Sequence, residues 1–248
     1  ANAGSLKYAV LVPFVACVAL GKDDADSFCW HLLAIGALRY ANAQLWISLS
    51  RVHALTRKTR IQAKGIDFKQ VDREDHWDDY ILLQTLVISA VHWMPKLGFD
   101  SFPAWNGRGL AQLALLHVGP TEFVYYWLHR ALHHHKLYSA YHSHHHASFV
   151  TEPITGSVHP FMEHLMYTAN FAIPLVGTWA MGGASIAMFY IYLIGFDVLN
   201  AIGHCNFEFI PRWFMRLPGM KYLIYTPSYH SLHHSRVHTN FCLFMPLY

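Results

Sequence analysis

This chain is short of charge. Only 13% of its 248 residues are Asp, Glu, Lys or Arg, about half of what soluble domains carry. Hydrophobic residues make up 54%. That balance argues against a freely soluble domain and for a protein surrounded by membrane lipid. Net charge is +3 and no basic run alternates with aromatics, so no nucleic-acid partner is expected. The four cysteines, Cys17, Cys29, Cys205 and Cys242, form no CxxC pair, which speaks against both a disulfide framework and a thiolate metal site. No signal peptide is read at the start, ANAGSL, and Tyr248, inside an apolar run, is not read as a natural end.

Long apolar runs are present. The longest, Leu165 to Phe196, contains no Asp, Glu, Lys, Arg or His. A single helix of that length would reach roughly 48 Å, too far for one crossing. Gly182-Gly183 near its middle predicts two helices joined by a tight turn, the first kinked at Pro174. Further candidates are Leu6–Leu20, Phe28–Leu49, Tyr80–Met94 and Leu110–Leu128, the last interrupted by His117, Pro120 and Glu122. A polar loop, Arg51 to Asp79, opens with RVHALTRKTR, which holds four Lys or Arg and no acid. The positive-inside rule places that end on the cytosolic side.

Histidine is what the chain has in excess: fifteen of twenty fall between positions 129 and 238. Three groups have helical spacing. His129 and His133 are four apart; His142, His145 and His146 stand at i, i+3 and i+4; His230, His233 and His234 repeat that pattern. On a helix such offsets share one face. Eight imidazoles exceed what one ion uses, so two metal ions are expected, with Zn, Fe, Cu or Ni all compatible with neutral imidazole. Carboxylates should orient the rings, from among Glu122, Glu152, Glu163, Asp197 and Glu208. His134, His135 and His144 lie off the spaced faces. His31, His53, His76, His92 and His117 read as packed or hydrogen-bonded residues, and His238 stands between surface and metal surroundings.

One HxxxH and two HxxHH groups among apolar helices resemble the fatty acid hydroxylase/sterol desaturase superfamily of membrane di-iron oxidases. Within it, YYWLHRALHHHKLYSAYHSHHH, TEPITGSVHPFMEH, GHCNFEFIP and YTPSYHSLHH resemble the plant eceriferum/Glossy-type very-long-chain aldehyde decarbonylases of cuticular wax synthesis. WISLSR, KGIDFKQVDRE and HVGPTEFVYYWLH extend the likeness over nearly the whole chain. The family pattern continues past this point into a C-terminal soluble region that these residues do not include.

The resemblance implies an all-α fold: a multi-pass membrane helical bundle with a cytosol-facing, histidine-rich di-metal cap, residues 1–248 forming a single di-iron oxidase domain. It implies His129, His133, His142, His145, His146, His230, His233 and His234 as metal-binding catalytic residues. From FDVLNAIGH it adds His204 as the ninth ligand and Asn200 at the metal through a bound water. His159 is placed near the site and not as a ligand. Two Fe ions are the implied cofactor, zinc being a substitute in a purified sample, with O2 as co-substrate. The implied reaction turns very-long-chain fatty aldehydes into alkanes one carbon shorter, in an endoplasmic reticulum membrane. Cytochrome b5 is the implied electron donor, and a homologous, box-degenerate protein the implied partner. An apolar tunnel lined by Phe, Tyr, Trp and Met is expected to hold the aldehyde or acyl chain. Two alternatives stay open on the same ligands: a fatty acyl or sterol hydroxylase/desaturase, and a non-catalytic metal-binding subunit of a wax-synthesis complex.

Overall fold

The computed structural model describes residues 4–21, 25–93 and 102–248. Those residues are all-α; they hold no strand, only one isolated bridge between Arg60 and Phe207. A 3-10 stretch, Gly4–Leu11, leads into α1 (Val12–Leu20), followed by α2 (Ala25–Arg51), α3 (His53–Thr56), α4 (Phe68–Arg73) and α5 (Asp79–His92). Helix α6 (Gly107–Leu116) passes through a π-helical turn at His117–Thr121 into α7 (Glu122–Leu132). Then come α8 (His135–Leu137), a second π turn at Tyr138–His142, α9 (Ser143–His146), α10 (Phe161–Ala180) and α11 (Ile186–His204). Short α12 (Arg212–Met215) and α13 (Met220–Leu223) precede α14 (Pro227–Arg236).

The apolar runs became helices within a few residues of expectation; the anticipated end at Met94 lies outside the described residues. Pro120 removes one backbone donor inside the α6–α7 run, and the π turn absorbs the mismatch without ending the run. Helix α10 continues on both sides of Pro174. Gly182 turns the chain at φ 71°, a left-handed conformation that glycine adopts without a Cβ clash. Gly183 next to it lies so close to Gly109 of α6 that a Cβ on Gly109 would sit 1.8 Å from the Gly183 carbonyl oxygen.

Side-chain pairs fix how the helices run. His31 meets Tyr190 at 2.9 Å and buried Arg39 binds Asp197 at 2.6 and 2.9 Å, so α2 and α11 are parallel. Phe28 stacks on His92 at 3.7 Å, whereas Tyr40 donates to Asp78 at 2.8 Å, so α5 runs against α2. Lys7 pairs with Asp78 and Asp79, and Tyr8 donates to Asp78 at 2.6 Å. Tyr80 stacks on His164 near the start of α10. Each long helix therefore has one end at a common level, where the histidine groups lie, and its other end at the level of Gly109 and Gly183.

Between the ends sits an aromatic core that includes Tyr125, Tyr167, Phe171, Met188, Phe196 and Phe244. Among the described residues one helix, α11, is long and apolar enough to cross a membrane, and 44% of its most apolar window is buried.

Candidate metal centre

Three short elements carry the histidines. His129 lies in the last turn of α7 and His133 caps it; His142 closes the second π turn, and His145 and His146 follow in α9. The third group rides on α14, which begins cleanly because the Thr226 side chain accepts from Tyr229 N–H and Pro227 occupies the first turn. His204 ends α11. Helix packing brings all nine together in two clusters. The first holds His129, His133, His142, His146 and His233; the second holds His145, His204, His230 and His234. Within each, the ring nitrogens lie within 4.8 Å of one another.

This division corrects the expectation that each HxxHH triplet shares one face. In both triplets the i, i+4 pair serves one cluster and the i+3 member serves the other: His142 and His146 against His145, His230 and His234 against His233. Successive residues are offset by about 100° around a helix, so i+3 and i+4 lie on either side of the line through i. Two clusters placed side by side use that divergence.

Hydrogen bonds at Nδ1 set the tautomers. His129 donates to Phe241 O at 3.0 Å, His145 to Val158 O at 3.3 Å and His204 to Asn200 O at 2.8 Å. His233 donates to Thr239 O at 2.5 Å, His234 to Ser148 O at 3.2 Å, and His142 to the Glu163 carboxylate at 2.6 Å. A ring that donates from Nδ1 presents a bare lone pair at Nε2. Yet His129 Nε2 faces His142 Nε2 at 3.0 Å, so two lone pairs converge with no proton between them. The Nε2 atoms of His233 and His234 are buried and have no hydrogen-bond partner among the described residues. Buried acceptors left so cost about 1–3 kcal/mol each, and a cation between them removes that cost. Burial also keeps the rings neutral: His133 is pushed down to about 3 and His233 to about 4. His129, His142, His145, His230 and His234 lie well below the ordinary value for the same reason. Nine neutral nitrogen donors without a thiolate fit two borderline transition-metal ions.

Of the five carboxylates anticipated around the rings, Glu163 alone has the anticipated role. Asp197 is taken by Arg39. Glu122 accepts from Phe244 N–H at 3.0 Å, Glu208 accepts from Ile210 and Ser228 N–H groups, and Glu152 faces Arg51 at 3.6 Å. Each binds an element that packs beside it, which sequence separation does not reveal. Conversely, Glu74 was not anticipated. It is buried and accepts from Ser148 and Thr155 hydroxyls at 2.6 and 2.7 Å, and Ser148 in turn supplies the carbonyl for His234. The peptide carbonyls at Asn200, Val158, Thr239 and Phe241 leave no sequence signal at all.

His134, His135 and His144, which lie off the spaced faces, belong to neither cluster. His134 accepts from Lys136 N–H, the His135 ring lies tilted 4.2 Å from it, and His144 lies 5.3 Å from His76. His238 is exposed. His159 stacks on His145 at 4.4 Å, beside the site as anticipated. Asn200 donates to Gly156 O at 2.9 Å and shares a narrow crevice of about 20 Å3 with His145, His159, His204, His230 and Phe171. On the other side of Phe171 opens an apolar chamber of about 480 Å3 between α5, α10 and α11. Its wall is aliphatic with Phe102, Phe189 and Trp179, and the Tyr and Met expected there are not among its lining residues; Tyr80, Tyr125, Tyr167 and Tyr225 line the crevice instead.

Residues 114–248 match the family model for fatty acid hydroxylase. Curated relatives include "Very-long-chain aldehyde decarbonylase GL1-4" of Oryza sativa subsp. japonica, 49% identical over 99% of this chain. They also include "Very-long-chain aldehyde decarbonylase CER1" and "Protein CER1-like 2" of Arabidopsis thaliana, 49% and 47% identical over 99% of it. The chain spans about 40% of the length of these relatives. No solved structure matches it. The family match begins inside α6 and takes in all nine clustered histidines, and on that ground the chain belongs to the fatty acid hydroxylase family.

Proposed function

We propose that this chain is the metal-binding domain of an O2-dependent, membrane di-iron enzyme that converts very-long-chain fatty aldehydes to alkanes one carbon shorter. The observation that carries the reading is the adjacency of three features: two imidazole clusters, the crevice beside the second, and an apolar chamber that shares the Phe171 wall with that crevice. The names of the relatives point to the same substrate class.

One iron would be held by His129, His133, His142, His146 and His233, the other by His145, His204, His230 and His234, with Asn200 acting through a bound water. When bound, the pair supplies the redox chemistry with O2 that an unactivated carbon chain requires and zinc lacks. The chain's own residues do the rest. Glu163 and five main-chain carbonyls hold six of the nine imidazoles, those of His129, His142, His145, His204, His233 and His234, in one tautomer. The chamber takes the alkyl chain, and Phe171, stacked against Tyr125 and Tyr167, positions its head at the crevice. The tyrosine walls and the small crevice exclude bulk water from the reacting carbon.

In this reading the long helices cross the endoplasmic reticulum membrane several times, with the histidine end in the cytosol. Support comes from helix lengths of 19 to 27 residues in α2, α10 and α11, about 28–40 Å. It comes also from charge: Arg51, Arg57, Lys58, Arg60 and Lys64 lie at the histidine end, while Arg108 is the one cation at the opposite end among the described residues. Electrons are delivered from cytochrome b5, and a homologous, box-degenerate protein supplies the aldehyde.

The test gives purified, iron-loaded protein a long-chain aldehyde, O2 and an electron source, with and without that partner. An alkane one carbon shorter is expected. An alcohol or an alkene instead would assign hydroxylation or desaturation, and no turnover with iron bound and the partner present would assign a metal-binding subunit.

A further inference from the structure

The segment between His204 and the third histidine group makes an excursion that the site does not use. Glu208 closes its base, one carboxylate oxygen accepting from Ile210 N–H at 2.9 Å and the other from Ser228 N–H at 3.1 Å. Between those points α12 and α13 pack on each other. The lobe leaves large apolar side chains in the open: Trp213 is 65% exposed, and Leu217, Tyr222 and Leu223 are 45–47% exposed. Arg212, Arg216 and Lys221 are interleaved with them, are exposed, and have no carboxylate partner among the described residues. No acid occurs anywhere after Glu208. The lobe starts where α11 ends, and Phe209 at its base lies 6.2 Å from Trp46 near the end of α2.

Exposed aromatic and aliphatic groups cost free energy in water, and three cations without a carboxylate partner, Lys221 lying 4.8 Å from the Tyr222 ring, would be costly in a purely apolar contact. A surface that satisfies both is the headgroup layer of a bilayer, where rings reach the acyl boundary and Arg and Lys reach lipid phosphates and carboxylates. We infer that residues 209–226 form an interfacial anchor that lies in the headgroup layer and selects anionic lipid.

The inference rests on the membrane placement proposed above. It adds that the strand of chain between His204 of the second cluster and the third histidine group is tethered to the membrane surface. Lipid charge thus reaches the segment that positions α14.

The test reconstitutes the full chain in bilayers with brominated acyl chains, either zwitterionic or one-third anionic, and reads tryptophan quenching. The Trp213 signal is the difference between the protein and W213F; the Trp179 signal, from the chamber wall of α10, is the difference with W179F. Quenching of Trp179 in both bilayers checks the membrane placement independently. Trp213 should be quenched strongly in anionic bilayers and weakly in zwitterionic ones, each cation being worth about a fivefold shift in occupancy. The triple change R212Q, R216Q and K221Q should remove the difference between bilayers. Equal quenching of Trp213 in both overturns the lipid selectivity. Unquenched Trp213 beside a quenched Trp179 overturns the anchor and leaves the lobe to a protein partner, whereas an unquenched Trp179 overturns the membrane placement itself.

Discussion

At the scale of single residues, the division of each HxxHH triplet makes the two metal sites separable by mutation. His233→Ala leaves four imidazoles in the first cluster and the second complete; His145→Ala leaves three in the second. Metal analysis of purified variants should show His145→Ala down to about one ion per chain, with His233→Ala retaining more, because a site keeps its ion better with four donors than with three. Equal loss in both would mean that the clusters do not fill independently. Gly156 gives a sharper case. A Cβ there would lie 2.6 Å from both side-chain atoms of the Asn200 amide and from His204 Nδ1. Gly156→Ala should displace His204 and lower metal content by about one ion, as three remaining imidazoles leave the second site open, with helical content unchanged by circular dichroism. A variant with full metal content would show that His204 is dispensable.

Individual helices owe their positions to a few buried polar contacts, and these carry energy that can be measured. The loop before α5 is held against the second histidine group by Gln70, Arg73 and Glu74, which bind Val150 O, Ala147 O and the Ser148 and Thr155 hydroxyls. Removing the Glu74 carboxylate strands two buried hydroxyl donors. Glu74→Ala should therefore cost about 1–3 kcal/mol, read as a lower thermal midpoint, whereas Glu74→Gln should recover part of it. At the end of α14, Val237 adopts φ 63°, a left-handed backbone that a β-branched residue holds at a cost of about 1–3 kcal/mol. The reversal it creates brings Thr239 O to His233. Strain in one residue thus accompanies an imidazole of the first cluster held in one tautomer.

The molecule as a whole combines a dry, neutral histidine cap with an apolar interior, and both halves give predictions. Imidazoles whose folded values are depressed bind protons more readily in the unfolded chain. Stability contributed by their neutral form is present above about pH 6.5 and falls as pH drops below it, toward the values near 3 and 4 held by His133 and His233. Acidification from about pH 6.5 toward pH 4 should therefore lower the unfolding midpoint while the folded rings stay neutral and able to bind metal; a midpoint unchanged over that range would contradict this. Phe171 is the wall common to the crevice and the chamber. Phe171→Trp should leave metal content intact and slow turnover of long-chain aldehyde roughly tenfold or more, since overpacking a tight wall costs about 1–3 kcal/mol. Unchanged kinetics would mean that substrate enters elsewhere.

Eight of the nine clustered imidazoles stand out in the sequence, because HxxxH and HxxHH are local patterns, whereas His204 is implied only by the family resemblance. The helices were equally legible: uninterrupted apolar runs and the Gly182-Gly183 turn specify them without reference to their neighbours. The allocation of rings to ions was not legible, since His145 joins His234 rather than its neighbour His146 only after α9 meets α14. Nor was the choice of Glu163 over Asp197, which depends on which helix each carboxylate faces once α2 and α11 run parallel. Local spacing determined which atoms could bind metal in this protein. Tertiary packing decided how they are shared between two sites and which carbonyls aim them, because those partners are brought close only by the fold.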